Sequence, residues 1–322
     1  SGPAGSPVYL IWTSLAGQPA VSPPGGLARS YLPGSDRTLA FVAGVGESAD
    51  SLGDRITRYR NAETIGAFLD EEAVVYEEKR VKARGLYSGV PEAIADSLHW
   101  TVLYQPGSHR LYTPAGRAPV YLRPDGGRED WTIQADGSFL TVLELALESQ
   151  KLALDTLAAI LETQYPNGNI PNWRSRFGGT PDRSQPPIGA YVVLKLFLRT
   201  GDKAFLESSY PALARWHAFW KAKKPNGQIR RDGNGDGLLE WGSDRELVAE
   251  KVPAWEVDAS PEQRAKWESG QDDLPNWDDV PAADSGALVT IETFDAPPEW
   301  REQTEQGWRE LLERLEALLR QG

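Results

Sequence analysis

The sequence contains no cysteine. That excludes structural disulfides, thiolate nucleophiles and cysteine-ligated zinc. Methionine is absent as well, even at the first position, so Ser1-Gly2 reads as a processed start. Histidine is scarce: only His99, His109 and His217 are present. His217 sits among Trp216, Phe219 and Trp220 and reads as a packing residue. There is no G-x-S-x-G elbow, no G-x-x-x-x-G-K-[ST] loop and no H-E-x-x-H pair, which sets aside the commonest serine hydrolases, P-loop nucleotide chemistry and zinc proteases. Positive charge is also short, with 34 basic against 46 acidic residues and a net charge of −12. A nucleic-acid partner needs a basic face to displace counterions, and an anionic membrane needs the same, so neither partner is expected. No apolar run approaches the length of a membrane span. Val8–Trp12 is too short for a signal-peptide core and lacks a basic lead, so the expected location is cytoplasmic.

With 322 residues and 40% hydrophobic content, the chain can bury a full core. Residues 1–45 are rich in Gly, Pro and Ser, with a strand expected at Arg37–Val45, and form a short N-terminal β or extended segment. Residues 46–322 change character. Apolar residues at three- and four-residue spacing predict helices at Ser51–Tyr59, Ala62–Arg84, Pro91–Tyr104, Ser138–Glu148, Gln150–Gln164, Pro187–Arg199, Ala204–Lys221 and Pro298–Arg320. The run IGAYVVLKLFL within Pro187–Arg199 predicts burial on all sides. Pro211 predicts a break in the helix that contains it. Long loops are expected at 105–136, 165–184 and 222–297. Helix, short turn, helix, long loop is the rhythm of an all-α toroid of helix pairs, in which long loops gather at one end and build a site.

Two loop motifs carry chemistry. D-G-N-G-D-G-L-L-E-W, Asp232 to Trp241, has the spacing of a calcium loop. Asp232, Asn234 and Asp236 fall at positions 1, 3 and 5, the Leu238 carbonyl at 7 and Glu240 at 9. Ser243 stands where an EF-hand has its bidentate Glu, so the expectation is a structural Ca²⁺ completed by a distant carboxylate. The alternative is an Asx-rich turn with no ion. No organic cofactor is expected.

The second motif, W-E-S-G-Q-D-D-L-P-N-W-D-D (Trp267–Asp279), holds five carboxylates and two tryptophans. Carboxyl groups supply proton chemistry and flat rings stack on sugar faces. In glycoside hydrolysis one carboxylic acid protonates the leaving oxygen while a second carboxylate activates water or attacks. The acid needs a raised pKa, and Asp272, between Glu268 and Asp273 and near Trp267 and Trp277, fits that need. The competing reading is an acidic, solvated loop whose tryptophans reach the core.

Taken in order, N-G-N-I-P-N-W (167–173), S-Q-P-P-I (184–188), T-G-D (200–202), D-G-N-G-D-G-L-L-E-W-G-S-D (232–244) and W-E-S-G-Q-D-D-L-P-N-W-D (267–278) resemble glycoside hydrolase family 63, in its bacterial mannosylglycerate, glucosylglycerate and α-glucosidase-like branch. Upstream, R-L-Y-T-P (110–114) and W-T-I-Q-A-D-G-S-F-L (131–140) extend the likeness. The resemblance implies an (α/α)6 barrel, incomplete at its C-terminal end, and inverting hydrolysis of a small oligosaccharide or glycosylglycerate. It places the general acid on Asp272 and puts Asp136, Trp173, Gln185, Trp267 and Glu268 around the sugar. Ala135 stands where the family has a tryptophan. In some relatives the loop starting at Asp232 binds calcium. No matching C-terminal glutamate for the general base follows in this sequence, so the alternative expectation is a catalytically incomplete, carbohydrate-binding member. A helical scaffold with a calcium loop is the non-enzymatic reading. For an anionic aglycone, Arg174, Arg176 and Arg183 are the candidate partners.

Overall fold

The computed structural model describes residues 9–14, 18–21, 30–32, 41–46, 50, 54, 62–105, 107–114, 116–117, 131–175, 178–232, 235, 239–242, 256, 258–271, 274–275, 309–310 and 312–320. Of the predicted helix at Ser51–Tyr59 only Asp54 is described, as helical, and the first part of Pro298–Arg320 lies outside the described residues. The chain divides into two compact units, Ser1–Arg80 with Pro106–His109, and Val81–Gln105 with Arg110–Gly322.

The first unit contains two antiparallel strand pairs. β1 (Tyr9–Ser14) pairs with β4 (Phe41–Gly46), and β2 (Gln18–Val21) with β3 (Ser30–Leu32). Helix α1 (Ala62–Lys79) follows. It stops short of the expected Arg84: the chain runs without regular structure through Val81–Arg84 to a 3-10 turn at Gly85–Tyr87.

The second unit is mostly helical with a few short strands. Its helices are α2 (Val90–His99), α3 (Ala135–Leu145), α4 (Gln150–Glu162), α5 (Gly189–Thr200) and α6 (Lys203–Trp220). α3 packs on α2, α4 and α5, and α6 packs on α4 and α5. Phe139, Val142, Leu157, Ile160, Val192, Val193, Leu206 and Trp216 form the shared core. The Phe139 and Trp216 rings stack with centroids 5.5 Å apart. A hairpin of β5 (Leu103–Gln105) and β6 (Arg110–Tyr112) lies beside α4. β7 (Gly116–Arg117), β8 (Trp131–Gln134) and β9 (Trp173–Arg174) form a three-stranded sheet with β8 in the middle. Residues 312–320 are helical, and Leu315 is wholly buried in the core.

The helix expected over Pro91–Tyr104 ends at His99, and Leu103–Gln105 is a strand. Three further expectations need correction. α5 is not buried on all sides: Tyr191, Lys195, Leu198 and Arg199 form an exposed stripe, while Val192, Val193 and Leu196 face the core. Pro211 does not break α6. It lies on the exposed side, so the Glu207 carbonyl that loses its partner can meet water, and the buried series Phe205, Ser209, Ala212, Trp216 and Phe219 carries the helix through. The region 222–297 holds a helix, α7 (Pro261–Ser269). Its boundary signals are all in the sequence: Ser260 caps the Gln263 N–H, Pro261 opens the first turn, and Gly270 ends it with φ 68°. Its weak apolar pattern concealed it, because it buries the polar Glu268 and Ser269 along with Ala265.

Candidate active site

The site is assembled from the start of α3, the loop between α4 and α5, and the end of α7. Strand β8 runs directly into α3, which places Asp136 in the first helical turn. The Ala135 N–H donates to the Asn172 carbonyl at 3.2 Å, and the side chain of Ala135 is wholly buried. The Asp136 N–H donates to Gln185 Oε1 at 3.0 Å, and its own Oδ1 accepts from the Gly137 N–H at 2.6 Å. Asp136 and Gln185, predicted separately as sugar-facing residues, therefore share one corner. Burial raises the Asp136 pKa above its ordinary value, against the lowering effect of these hydrogen bonds.

The α4–α5 loop is rigidly held. Asn169 is fully buried and its Nδ2 donates to the carbonyls of Thr180, Pro181 and Arg183. Asn172 reaches across with Nδ2 to the Trp267 carbonyl at 2.9 Å, joining this loop to α7. Trp173 is buried and its indole N–H donates to Glu256 Oε1 at 3.3 Å. Ser184 Oγ donates to the Ile170 carbonyl at 2.7 Å and accepts from Trp216 Nε1 at 2.8 Å.

From α7, Trp267 presents a half-buried indole with the Arg183 guanidinium 5.2 Å from its ring centroid. Glu268 is completely buried. Its Oε1 accepts from the Ser184 N–H at 2.5 Å, and its Oε2 from Arg231 Nη1 at 2.7 Å and the Gly242 N–H at 2.6 Å. Burial pushes its pKa up, while Arg231 and the two N–H groups favour the ionised form. Gly270, just past the helix, runs against Asp136. Asp272 lies outside the described residues, two positions further along the chain.

The structure also shows what the arginines do. Arg183 is buried, bonded to Asp182 at 3.2 Å and to Glu256, and burial lowers its pKa. Arg174 lies 4.2 Å from the Tyr165 ring centroid, and Arg176 is outside the described residues. Of the calcium candidates, Asp232 and Glu240 are buried at the neck of their turn, where the Glu240 N–H donates to the Arg231 carbonyl at 2.7 Å. Asn234, Asp236 and Leu238 lie outside the described residues. Among the described residues, no group of three or more acidic or histidine side chains is placed to hold a metal.

Sequence reasoning passed over Asn169, Arg231, Gly242 and Glu256. Arg231 and Gly242 flank the recognised turn, and Asn169 belongs to the recognised N-G-N-I-P-N-W run, so their positions were in view. Their partners were not, because every one is remote in sequence. Glu256 carried no signal.

Carboxylates, amides and tryptophans gathered from three loops onto a mostly helical scaffold are the make-up of a carbohydrate-active site. The family comparison agrees. Residues 129–317 match the mannosylglycerate hydrolase MGH1-like glycoside hydrolase domain, and the chain belongs to that family, as its resemblance to glycoside hydrolase family 63 implied. Among curated relatives, the mannosylglycerate hydrolases MGH1 and MGH2 of Selaginella moellendorffii are each 26% identical over 184 residues, which is 50% of this chain and 30% of theirs. A probable trehalase from Oryza sativa subsp. japonica is 40% identical over 45 residues, 14% of this chain and 8% of that protein. The chain thus matches under a third of the length of these relatives. Two solved structures from Thermus thermophilus also match. The GH63 mannosylglycerate hydrolase in complex with glucose gives a TM-score of 0.39 at 20% identity, covering 71% of this chain and 50% of that one. An uncharacterized conserved protein gives 0.38 at 17%, covering 70% and 50%.

Proposed function

We propose that this chain is an inverting glycoside hydrolase that cleaves a small α-glycoside, with mannosylglycerate, glucosylglycerate and short α-glucosides as the substrate class. Asp272 serves as general acid. Asp136 and Gln185 hold sugar hydroxyls, and Trp267 and Trp173 supply the aromatic wall. The helix pairs of the second unit are part of an (α/α)6 toroid. Family membership supports the chemistry, and the mannosylglycerate hydrolase activity of the Selaginella relatives supports the substrate class.

The observation that carries the reading is the contact between Gly270 and Asp136. It brings the backbone two residues before Asp272 onto the Asp136–Gln185 corner, so the acid-bearing segment starts where the sugar-binding groups are. Calcium remains part of the proposal. The buried Asp232 and Glu240 are oxygen donors of the right hardness at the neck of one turn, and the ion would be completed by Asn234, Asp236 and the Leu238 carbonyl.

The test is a hydrolysis screen against mannosylglycerate, glucosylglycerate and maltose, reading the anomer released by NMR. Turnover with inversion, abolished by Asp272→Asn with sugar binding retained, supports the assignment. Unchanged turnover in Asp272→Asn removes the acid from that position. Binding without turnover in the parent chain favours the carbohydrate-binding alternative.

A further inference from the structure

We propose that Glu268 is a positioning residue: it clamps the segment leading to Asp272 onto the Asp136–Gln185 wall and does not itself touch substrate. This rests on the reading of the site as a glycosidase centre, and it assigns Glu268 a different task from the sugar-lining one its motif implies.

Four observations lead there. First, the side chain is 0% exposed and both oxygens are engaged by protein donors. Second, those donors come from three places. Ser184 is the neighbour of Gln185, which holds the Asp136 backbone. Arg231 and Gly242 stand on either side of the Asp232–Glu240 turn. Third, Glu268 lies in the last turn of α7, where the helix dipole disfavours a negative charge. Local helix energetics do not account for a carboxylate there, and the tertiary donors do. Fourth, the clamp is itself anchored. The Arg231 guanidinium lies 4.4 Å from the Trp220 ring centroid and 5.0 Å from that of Phe219, so Glu268 is tied to the C-terminal end of α6. Gly270, which meets Asp136, follows two residues later. Loosening Glu268 therefore loosens the register of the acid-bearing segment against its wall, while Asn169 still pins the loop that carries Gln185 and Asn172 still holds the Trp267 carbonyl.

Glu268→Gln tests this. The amide keeps the shape but turns one acceptor into a donor that must face an N–H or a guanidinium. The expected result is a kcat reduced about 100-fold, since a displacement near 1 Å costs that much, with KM for mannosylglycerate within about twofold. Amide exchange should quicken about tenfold at Ser184, Gly242 and residues 269–271, with α3 to α6 unchanged. Calorimetric affinity for mannosylglycerate should stay within about threefold of the parent. A tenfold weaker affinity with unchanged exchange would mean that Glu268 contacts the sugar, and the clamp is wrong. Arg231→Lys is the second variant. It keeps the charge but replaces the planar fork with one relocated nitrogen, and should reproduce the local loosening in milder form. If either variant speeds exchange uniformly across α3 to α6, Glu268 is only a core ion pair and the proposal falls. If the parent chain turns over no substrate, the functional reading fails, and the exchange pattern still decides the clamp.

Discussion

A methyl group built on the Cα of Gly270 would lie 2.5 Å from Oδ2 of Asp136. Gly270 also holds φ 68°, so two separate constraints disfavour a side chain there. Left-handed backbone costs a non-glycine residue about 1–2 kcal/mol, and the Asp136 carboxylate must turn out of its corner to clear the added methyl group. Gly270→Ala should lower Tm modestly and reduce kcat/KM much more than the stability loss alone explains. Thermal unfolding and steady-state kinetics on the same preparation check this. A variant with full activity would show that the two loops need not touch.

Asp136 is held in its corner with its pKa raised by burial, so the fold favours the neutral carboxyl. An unfolded aspartate titrates near 3.9. Below that value the group is protonated in both states and costs nothing. As pH rises through the raised folded value, the folded chain gives up a proton it holds more tightly than the unfolded chain does, and stability falls. Asp136→Asn cannot ionise and keeps an oxygen for the Gly137 N–H. It should melt at a higher temperature than the parent at about pH 7, with the difference vanishing as pH approaches about 3.5, while substrate affinity drops. A lower Tm at neutral pH would mean the ionised form is the one the fold prefers.

These two residues show what the sequence did and did not disclose. Residues with local signatures were legible. Asp202 caps α6 through the Ala204 N–H at 2.9 Å and Gly201 ends α5 with φ 66°, the turn and cap for which Gly and Asp are suited. Asp136, Gln185, Trp173 and Trp267 were singled out because each lies in a recognised motif. What stayed hidden is long-range pairing. Asn172 with Trp267 and Ser184 with Glu268 join residues far apart in the chain, and no periodicity encodes such partners. Helix α7 was hidden for a related reason. It buries a carboxylate, and apolar spacing says nothing about a helix whose buried face is partly polar.

Arg183 follows the same logic in the buried ionic cluster beneath Trp267. Its guanidinium serves Asp182 and Glu256, all three essentially without solvent exposure. Removing one partner from a buried pair costs about 3–5 kcal/mol, because the remaining charge is left uncompensated. Arg183→Met should therefore destabilise the second unit by that order. Arg183→Met combined with Glu256→Gln should recover part of the loss. Denaturant titrations of the parent, both single variants and the double variant measure the coupling directly. An additive double variant would show that the ion pair contributes little.

Asn169 is the last of the residues whose importance rests on remote partners. Its amide nitrogen lies 3.3, 3.1 and 3.0 Å from the carbonyl oxygens of Thr180, Pro181 and Arg183. It thereby pins the second half of the α4–α5 loop to the first. That half ends in Ser184 and Gln185, the residues that meet Glu268 and Asp136. Asn169→Ala would take from the Pro181 carbonyl its side-chain donor, at about 1–3 kcal/mol if it is left unpaired, while the Thr180 and Arg183 carbonyls keep the Arg183 and Asn172 N–H groups. Because the lost bonds sit behind Gln185, the expected kinetic effect is a raised KM, with kcat less affected. Asn169→Asp is the informative companion: it matches the size but replaces a donor with an acceptor facing three carbonyls, and should be worse than alanine. If Asn169→Asp were instead as stable as the parent, the loop must be held by other contacts and Asn169 is not its pin.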